Sequence, residues 1–310
     1  MIVNNKARNV VIDSGNSGQR LDNFLMSKIK NIPKSHVYKL IRTGQVRINS
    51  SRSKPSTKLK EDDIIRIPPY KATEELKPSI SEDTIKKTEE KILYEDSNII
   101  IFNKPASFAV HSGTNIGYGL IDLIRLARKE CERIDLLHRL DKDTSGCIIF
   151  TKNLKTLRSL QKKIINNEIE KKYICLVNGI WNKDLNKVEM ELLRNGKEKN
   201  STSKLKILKH YENSTLLEVE ILTGRYHQIR KQCSSLNHPI ACDNKYGNRE
   251  INKIYKEKGL NRIFLHSNSI KFNFKKEIEI KSPTPEDLKI FLYNHKWKEN
   301  IRIKSHKYLE

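Results

Sequence analysis

The sequence predicts an α+β protein in two parts: a small basic α/β module, then a larger domain built around a mixed, mostly antiparallel central sheet. Three observations carry that expectation. Helical and strand-like periodicities are interleaved without an internal repeat along 310 residues, a length suited to one domain of about 200 residues with a smaller companion. A polar stretch of mixed charge and weak periodicity, residues 71–90, divides the chain. The segment ahead of it concentrates positive charge, with eleven Lys or Arg and one acid, Asp22, between Arg20 and Lys60, which is +10 of the formal +23.

In the first part Leu21, Phe24, Leu25 and Ile29 recur at helical spacing. Ser35 stands where an N-cap belongs, before Val37, Leu40 and Ile41, and Gly44 is placed to end that second helix. Val46–Asn49 and Asp63–Ile67 read as strands flanking a basic turn region. The module is therefore taken as residues 1–70, and 71–90 as a linker. The larger domain, 91–297, has strand-like apolar runs at Ile99–Phe102, Cys147–Phe150, Tyr173–Val177, Leu216–Leu222 and Ile263–Leu265, with helical patterns around 119–130 and 155–166. Residues 298–310 read as a basic tail.

Sixty Lys and Arg against 37 Asp and Glu steer polyanions toward the chain, and the uneven spread of the excess points to nucleic acid. The five cysteines, at 131, 147, 175, 233 and 242, form no C-x-x-C pair, so neither a disulfide framework nor a structural metal is expected. The histidines 111, 138, 227, 238 and 266 show no metal-ligand spacing either. The opening residues lack the apolar core of a signal peptide, and no run approaches the roughly 18 apolar residues of a membrane span. A soluble, cytoplasmic protein without a membrane partner is expected.

The densest chemistry lies at Leu136-Leu-His-Arg-Leu-Asp-Lys-Asp-Thr-Ser-Gly146, just before a buried-strand pattern. Loops at strand ends often carry sites. On the residues alone this segment reads equally as a polar turn, and Tyr173, alone in a strand, reads as core packing.

The wider pattern is more specific. Arg20-Leu-Asp-Asn-Phe24, Lys34-Ser35, Arg42-Thr-Gly44 and Val46-Arg-Ile-Asn49 resemble the alpha-L RNA-binding module. His138-Arg-Leu-Asp141 resembles the central motif of the RluA family of pseudouridine synthases. Asn103-Lys-Pro105 with Val110-His111, then Lys171-Lys-Tyr173, then Thr223-Gly-Arg225 with His227-Gln-Ile-Arg230, are similar to that family's other motifs in order and spacing. The likeness covers roughly residues 91–292 and, with the module in front, extends to the branch that modifies large-subunit ribosomal RNA. One position departs: Tyr226 stands where the third motif usually has threonine.

The resemblance implies isomerisation of uridines to pseudouridine in large-subunit (23S-type) ribosomal RNA, without a cofactor or metal and by a chain acting as a monomer. The reaction breaks a carbon–nitrogen glycosidic bond, turns the base and rejoins it through carbon, with no net redox change. It needs a carboxylate beside the ribose and base. The resemblance makes Asp141 that group, whether it attacks the sugar, adds to the base or removes a ribose proton. Arg230 is then the cation that holds its charge. Tyr173 is expected to stack on the flipped base and to take a proton at the new carbon bond. Arg139 is expected to enter the RNA or hold a phosphate, and His138 to shape the loop. RNA contacts are expected from Arg20, Lys34, Ser35, Tyr38, Arg42, Arg47 and Asn49. The alternatives are a non-catalytic RNA-binding or ribosome-assembly factor on the same fold, and an N-glycosidase that releases the base.

Overall fold

The computed structural model describes all residues except 1, 2, 5, 30, 31, 72–79, 112–117, 195, 196 and 295–310. The tail expected over 298–310, and most of the first half of the expected linker, lie outside the described residues. The chain divides into two compact units, Met1–Ser79 and Ile80–Glu310.

The first unit contains β1 (Val3–Asn4), β2 (Arg8–Val11), α1 (Leu21–Lys28), α2 (Lys34–Arg42), β3 (Arg47–Ile48), β4 (Ile64–Ile67) and β5 (Tyr70–Lys71). β2, β4 and β3 form a three-stranded antiparallel sheet, and β1 pairs with β5. Leu21, Phe24 and Leu25 of α1 pack with Val37, Leu40 and Ile41 of α2 against Ile65 and Ile67, so the helical spacing of those residues is the spacing of a buried face. Gly44, at φ 73°, closes α2 by donating its backbone N–H to the Ile41 carbonyl at 3.0 Å. Ser35 is not the N-cap. Pro33 holds that place in an extended conformation, and its carbonyl takes the first helical bond, from His36 N at 2.9 Å. Proline fixes the entry φ at no cost in donors, and Ser35 falls inside the first turn.

The second unit contains α3 (Glu82–Glu89), β6 (Ile92–Glu95), β7 (Ile99–Lys104), α4 (Leu120–Ala127), β8 (Asp135–Leu136), β9 (Ser145–Thr151), α5 (Leu154–Ile165), β10 (Ile169–Asn178), β11 (Lys187–Arg194), β12 (Lys197–His210), β13 (Ser214–Ile221), α6 (Gln228–Ser235), α7 (Arg249–Glu257), β14 (Leu265–Phe274), β15 (Lys276–Lys281) and α8 (Glu286–Asn294). The second half of the expected linker is thus a helix. Ser81 caps α3 by accepting from Thr84 N at 3.3 Å, and Asp83 pairs with Lys87 one turn on at 2.8 Å. Such a helix, polar nearly all round, leaves little hydrophobic pattern to read.

A single ten-stranded sheet organises this unit, in the order β11-β12-β13-β10-β14-β9-β7-β6, with β15 beside β14 and β8 beside β9. All pairs are antiparallel except β14 with β9. The run Ile263–Leu265 reaches only the first residue of β14, which continues to Phe274 through the polar stretch His266-Ser-Asn-Ser269. β11 and β12 are rich in Lys and Glu, and their buried Val188, Leu192, Leu205 and Leu208 are spaced among charged residues rather than gathered in a long apolar run.

The sheet places the site through one cross-strand row. Lys104 of β7 pairs with Gly146 of β9, Gly146 with Ser267 of β14, Ser267 with Tyr173 of β10, and Tyr173 with Val219 of β13. The parallel β9–β14 join brings the chain just after Asp141 onto the strand next to Tyr173. Gly146 permits that join: it sits at φ 106°, and a Cβ there would lie 2.1 Å from the Ser267 carbonyl oxygen. The β10–β14 ladder shifts register between Lys172 and Tyr173, a bulge that turns the tyrosine's side chain relative to its neighbours.

Candidate active site

The loop ahead of β9 is held from several sides. His138 Nε2 accepts from the backbone N–H of Ile149 at 3.3 Å, and burial drives the imidazole pKa down to about 3, so it is a neutral strut between loop and strand. Leu140 is buried and Arg139 exposed, so the backbone turns Arg139 outward while its neighbour anchors the loop. On the far side Lys104 is fully buried. Its Nζ donates to the carbonyls of Pro105 and Phe108, both at 2.9 Å, and of Lys142 at 2.8 Å, tying β7 to the residue after Asp141. Burial lowers the Lys104 pKa to about 7, against the pull of Asp143 and Asp141.

Asp141 itself is 25% exposed in its side chain. Arg230 Nη1 donates to its Oδ2 at 3.3 Å, and His227 Nε2 lies 3.5 Å from the same oxygen. The structure therefore brings together Asp141 and Arg230, residues far apart in sequence, but Asp141 is not the arginine's main partner. Asp243, with no exposed surface, accepts from Arg230 Nε at 2.8 Å and from Nη2 at 2.7 Å, a fork-on-fork pair. Burial opposes the charge on Arg230, yet Asp243 first and Asp141 second raise its pKa further, so it remains a cation. Burial likewise opposes the Asp243 carboxylate, and Arg230 with the backbone N–H groups of Lys245 and Tyr246 keeps it ionised. With two of its nitrogens held by Asp243, Arg230 presents the remaining Nη1 to Asp141.

Helix α6 aims this cation. Thr223 Oγ1 donates to Gln228 Oε1 at 2.7 Å, Arg225 N donates to the same oxygen at 3.1 Å, and Gln228 Nε2 donates to the Thr202 carbonyl at 3.0 Å. The third motif's threonine and glutamine thus lock the turn that launches the helix. His227 caps the helix in the left-handed region, φ 53° and ψ 33°, a conformation that non-glycine residues adopt at some cost. It turns the imidazole between Asp141 and Tyr246, whose hydroxyl lies 3.0 Å from Nδ1. Tyr226 stacks on the other side of the imidazole, ring centroids 3.6 Å apart.

Tyr173 is 6% exposed and belongs to the main core cluster. Burial raises its phenol pKa, a hydrogen bond with Ser267 opposes that, and the charge of Asp141 adds to it, so the hydroxyl is neutral and sits within the field of the carboxylate.

In the first unit Asp22, 2% exposed, gathers two of the expected RNA-contact residues: Arg20 reaches it through Nε at 3.0 Å and Nη2 at 2.6 Å, and Tyr38 donates its hydroxyl at 2.9 Å. Lys34 lies 5.8 Å from the Tyr38 ring centre. Arg42 is exposed, and Ser35 is exposed in the first turn of α2. Arg47 spends donors on the carbonyls of Gly44 and Ser50, at 3.3 and 3.2 Å. Asn49 bridges β3 and β4, donating to Asp63 at 2.8 Å and accepting from Ile64 N at 2.8 Å, so its side chain braces the sheet.

Sequence reasoning missed Asp243 and Tyr246 and gave His227 no role beyond its place in the third motif, having set it aside as a metal ligand. Asp243 sits in a turn-rich stretch, Ala241-Cys-Asp-Asn-Lys-Tyr-Gly247, in which nothing but the lone acid marks a partner for a distant arginine. Among the described residues no three His, Cys, Asp or Glu side chains gather where they could hold a metal, and no helix is long and apolar enough to cross a membrane.

Comparison with known proteins gives this geometry a family. Residues 98–235 match the RNA pseudouridylate synthase family, and residues 19–65 match the S4 domain. The chain is 38% identical over 292 residues to the ribosomal large subunit pseudouridine synthase C of Haemophilus influenzae, covering 90% of this chain and 91% of that one. It is 37% identical over 299 residues to the protein of that name in Escherichia coli, covering 90% and 94%. Human RNA pseudouridylate synthase domain containing 4 shares the fold, with a TM-score of 0.59 at 21% identity over 68% of this chain and 94% of that chain. By its likeness to relatives along nearly its whole length, this chain belongs to the RNA pseudouridylate synthase family and is an RNA pseudouridine synthase.

Proposed function

We propose that the substrate is large-subunit ribosomal RNA, and that Asp141 carries the chemistry on a uridine flipped against Tyr173. The single observation that supports this most is the carboxylate of Asp141 beside a cation, Arg230, whose other nitrogens are taken by the buried Asp243. Arg230 faces that carboxylate with a fixed positive charge, and attack on the sugar, addition to the base and removal of a ribose proton all call on a carboxylate in this place. Balance requires that the C1′–N1 bond break, a C1′–C5 bond form, the C5 proton leave and N1 gain a proton. The C5 proton is assigned to Tyr173, whose hydroxyl, being neutral, takes it only as its own proton passes on to the Asp141 carboxylate or to water. His138 and Lys104 are assigned to holding the loop, and Arg139, exposed on it, to the RNA. On this reading the first unit grips RNA backbone through Lys34, Arg42 and the Arg20–Asp22–Tyr38 group, and the chain works as a cytoplasmic monomer, where ribosomal RNA is made.

The test is to incubate the purified chain with a large-subunit ribosomal RNA transcript and map pseudouridine. New pseudouridines at discrete positions are expected. Their absence there, with modification of another RNA, would transfer the substrate assignment.

A further inference from the structure

Tyr226, where the family's third motif usually has threonine, is 39% exposed although it lies two residues from the site's buried core. Its ring is stacked on His227 at 3.6 Å between centroids and 23° between planes, and His227 in turn lies 3.5 Å from the Asp141 carboxylate. Two ammonium groups sit near the same ring, Lys231 at 5.8 Å and Lys245 at 5.6 Å from its centre. Lys245 also lies 5.6 Å from the Tyr246 ring, so this edge of the site is an aromatic surface fringed by cations.

An aromatic face with lysines around it suits a nucleotide: the ring stacks on a base and the ammoniums meet the flanking phosphates. On the proposed function Tyr173 is assigned the place beneath the target base. We infer that Tyr226 is a stacking platform for an unpaired nucleotide neighbouring the target uridine, with Lys231 and Lys245 holding that nucleotide's phosphates. A threonine at this position, as the motif resemblance leads one to expect, would offer no ring. His227 supports the ring from below, in a backbone conformation fixed by its place at the head of α6.

The inference rests on the proposed substrate, and its test separates the two. Single-turnover pseudouridine formation on a large-subunit ribosomal RNA transcript is measured for wild type, Tyr226→Phe, Tyr226→Trp and Tyr226→Thr, with binding followed over a salt series. Tyr226→Thr is expected to raise the half-saturating enzyme concentration about five- to hundredfold, with a much smaller effect on the saturated rate. The aromatic variants should stay near wild type. The salt slope of binding should be unchanged in Tyr226→Thr, because a neutral ring releases no counterions, and should fall in Lys231→Ala and Lys245→Ala. A Tyr226→Thr enzyme that binds like wild type, a loss shared by Tyr226→Phe, or an effect confined to the saturated rate would each overturn the platform. Wild-type enzyme that modifies no position in this transcript would overturn the substrate reading instead.

Discussion

Arg230 is gripped by Asp243 through two hydrogen bonds of 2.8 and 2.7 Å and reaches Asp141 through a single one of 3.3 Å. The cation is thus anchored by one carboxylate so that it can serve another, and the anchor is the buried one. Preorganisation of this kind keeps the charge in place at no cost during reaction.

Asp243→Asn tests the anchor. It leaves the Arg230 guanidinium without its bidentate partner in a part-buried setting, and losing one member of a buried pair costs about 3–5 kcal/mol. Pseudouridine formation should fall at least about tenfold while RNA affinity changes little, and urea unfolding should shift to lower denaturant. Arg230→Lys should lose activity as well, because an ammonium cannot span both carboxylates.

Gly146 is the second structural test. Gly146→Ala adds a Cβ that would meet the Ser267 carbonyl at 2.1 Å and demands φ 106° of an alanine. The β9–β14 join should open, seen as a large drop in thermal stability or failure to fold. Gly259→Ala, where an added Cβ would meet no atom within 4 Å although φ is 94°, serves as the milder control.

These two residues show how legible the molecule was. Asp141, Tyr173 and Arg230 could be singled out because a motif resemblance named them, and the structure places them in one region. Their geometry was not legible, because it depends on a parallel strand pair between residues about 120 apart and on Asp243, whose surroundings in sequence look like any turn. The helices of the first unit could be read because their buried residues repeat every three or four positions. Helix α3 could not, because it is rich in charge and buries too little apolar surface to leave a period, whereas β11 does alternate Val188, Met190 and Leu192 with charged residues and was missed because the alternation forms no apolar run.

Acid should destabilise the second unit through its buried histidines. His266 has no exposed surface, with Nδ1 2.9 Å from Ser145 Oγ and Nε2 3.3 Å from the Ser282 carbonyl, and burial lowers its pKa from 6.5 to about 4. Between those values the unfolded chain binds the proton and the folded one does not, so stability falls as pH drops from 6.5 toward 4. The single residue contributes on the order of 3 kcal/mol across that window. Urea unfolding at successive pH values should show the fall, and His266→Asn should reduce its steepness.

Lys34→Ala and Arg42→Ala in the first unit should each weaken RNA binding across sequences and lower the salt slope by about one. Asn49→Ala should instead lower the first unit's stability, since its side chain braces β3 and β4. Thermal unfolding alongside filter binding separates the two effects.

The most direct test is Asp141→Asn, a near-isosteric change that removes the negative charge and leaves the loop's hydrogen bonds through His138 and Lys104 in place. Single-turnover pseudouridine formation on large-subunit ribosomal RNA should disappear while RNA affinity stays within about threefold of wild type. Substantial pseudouridine from Asp141→Asn would contradict the assignment of the chemistry to this carboxylate.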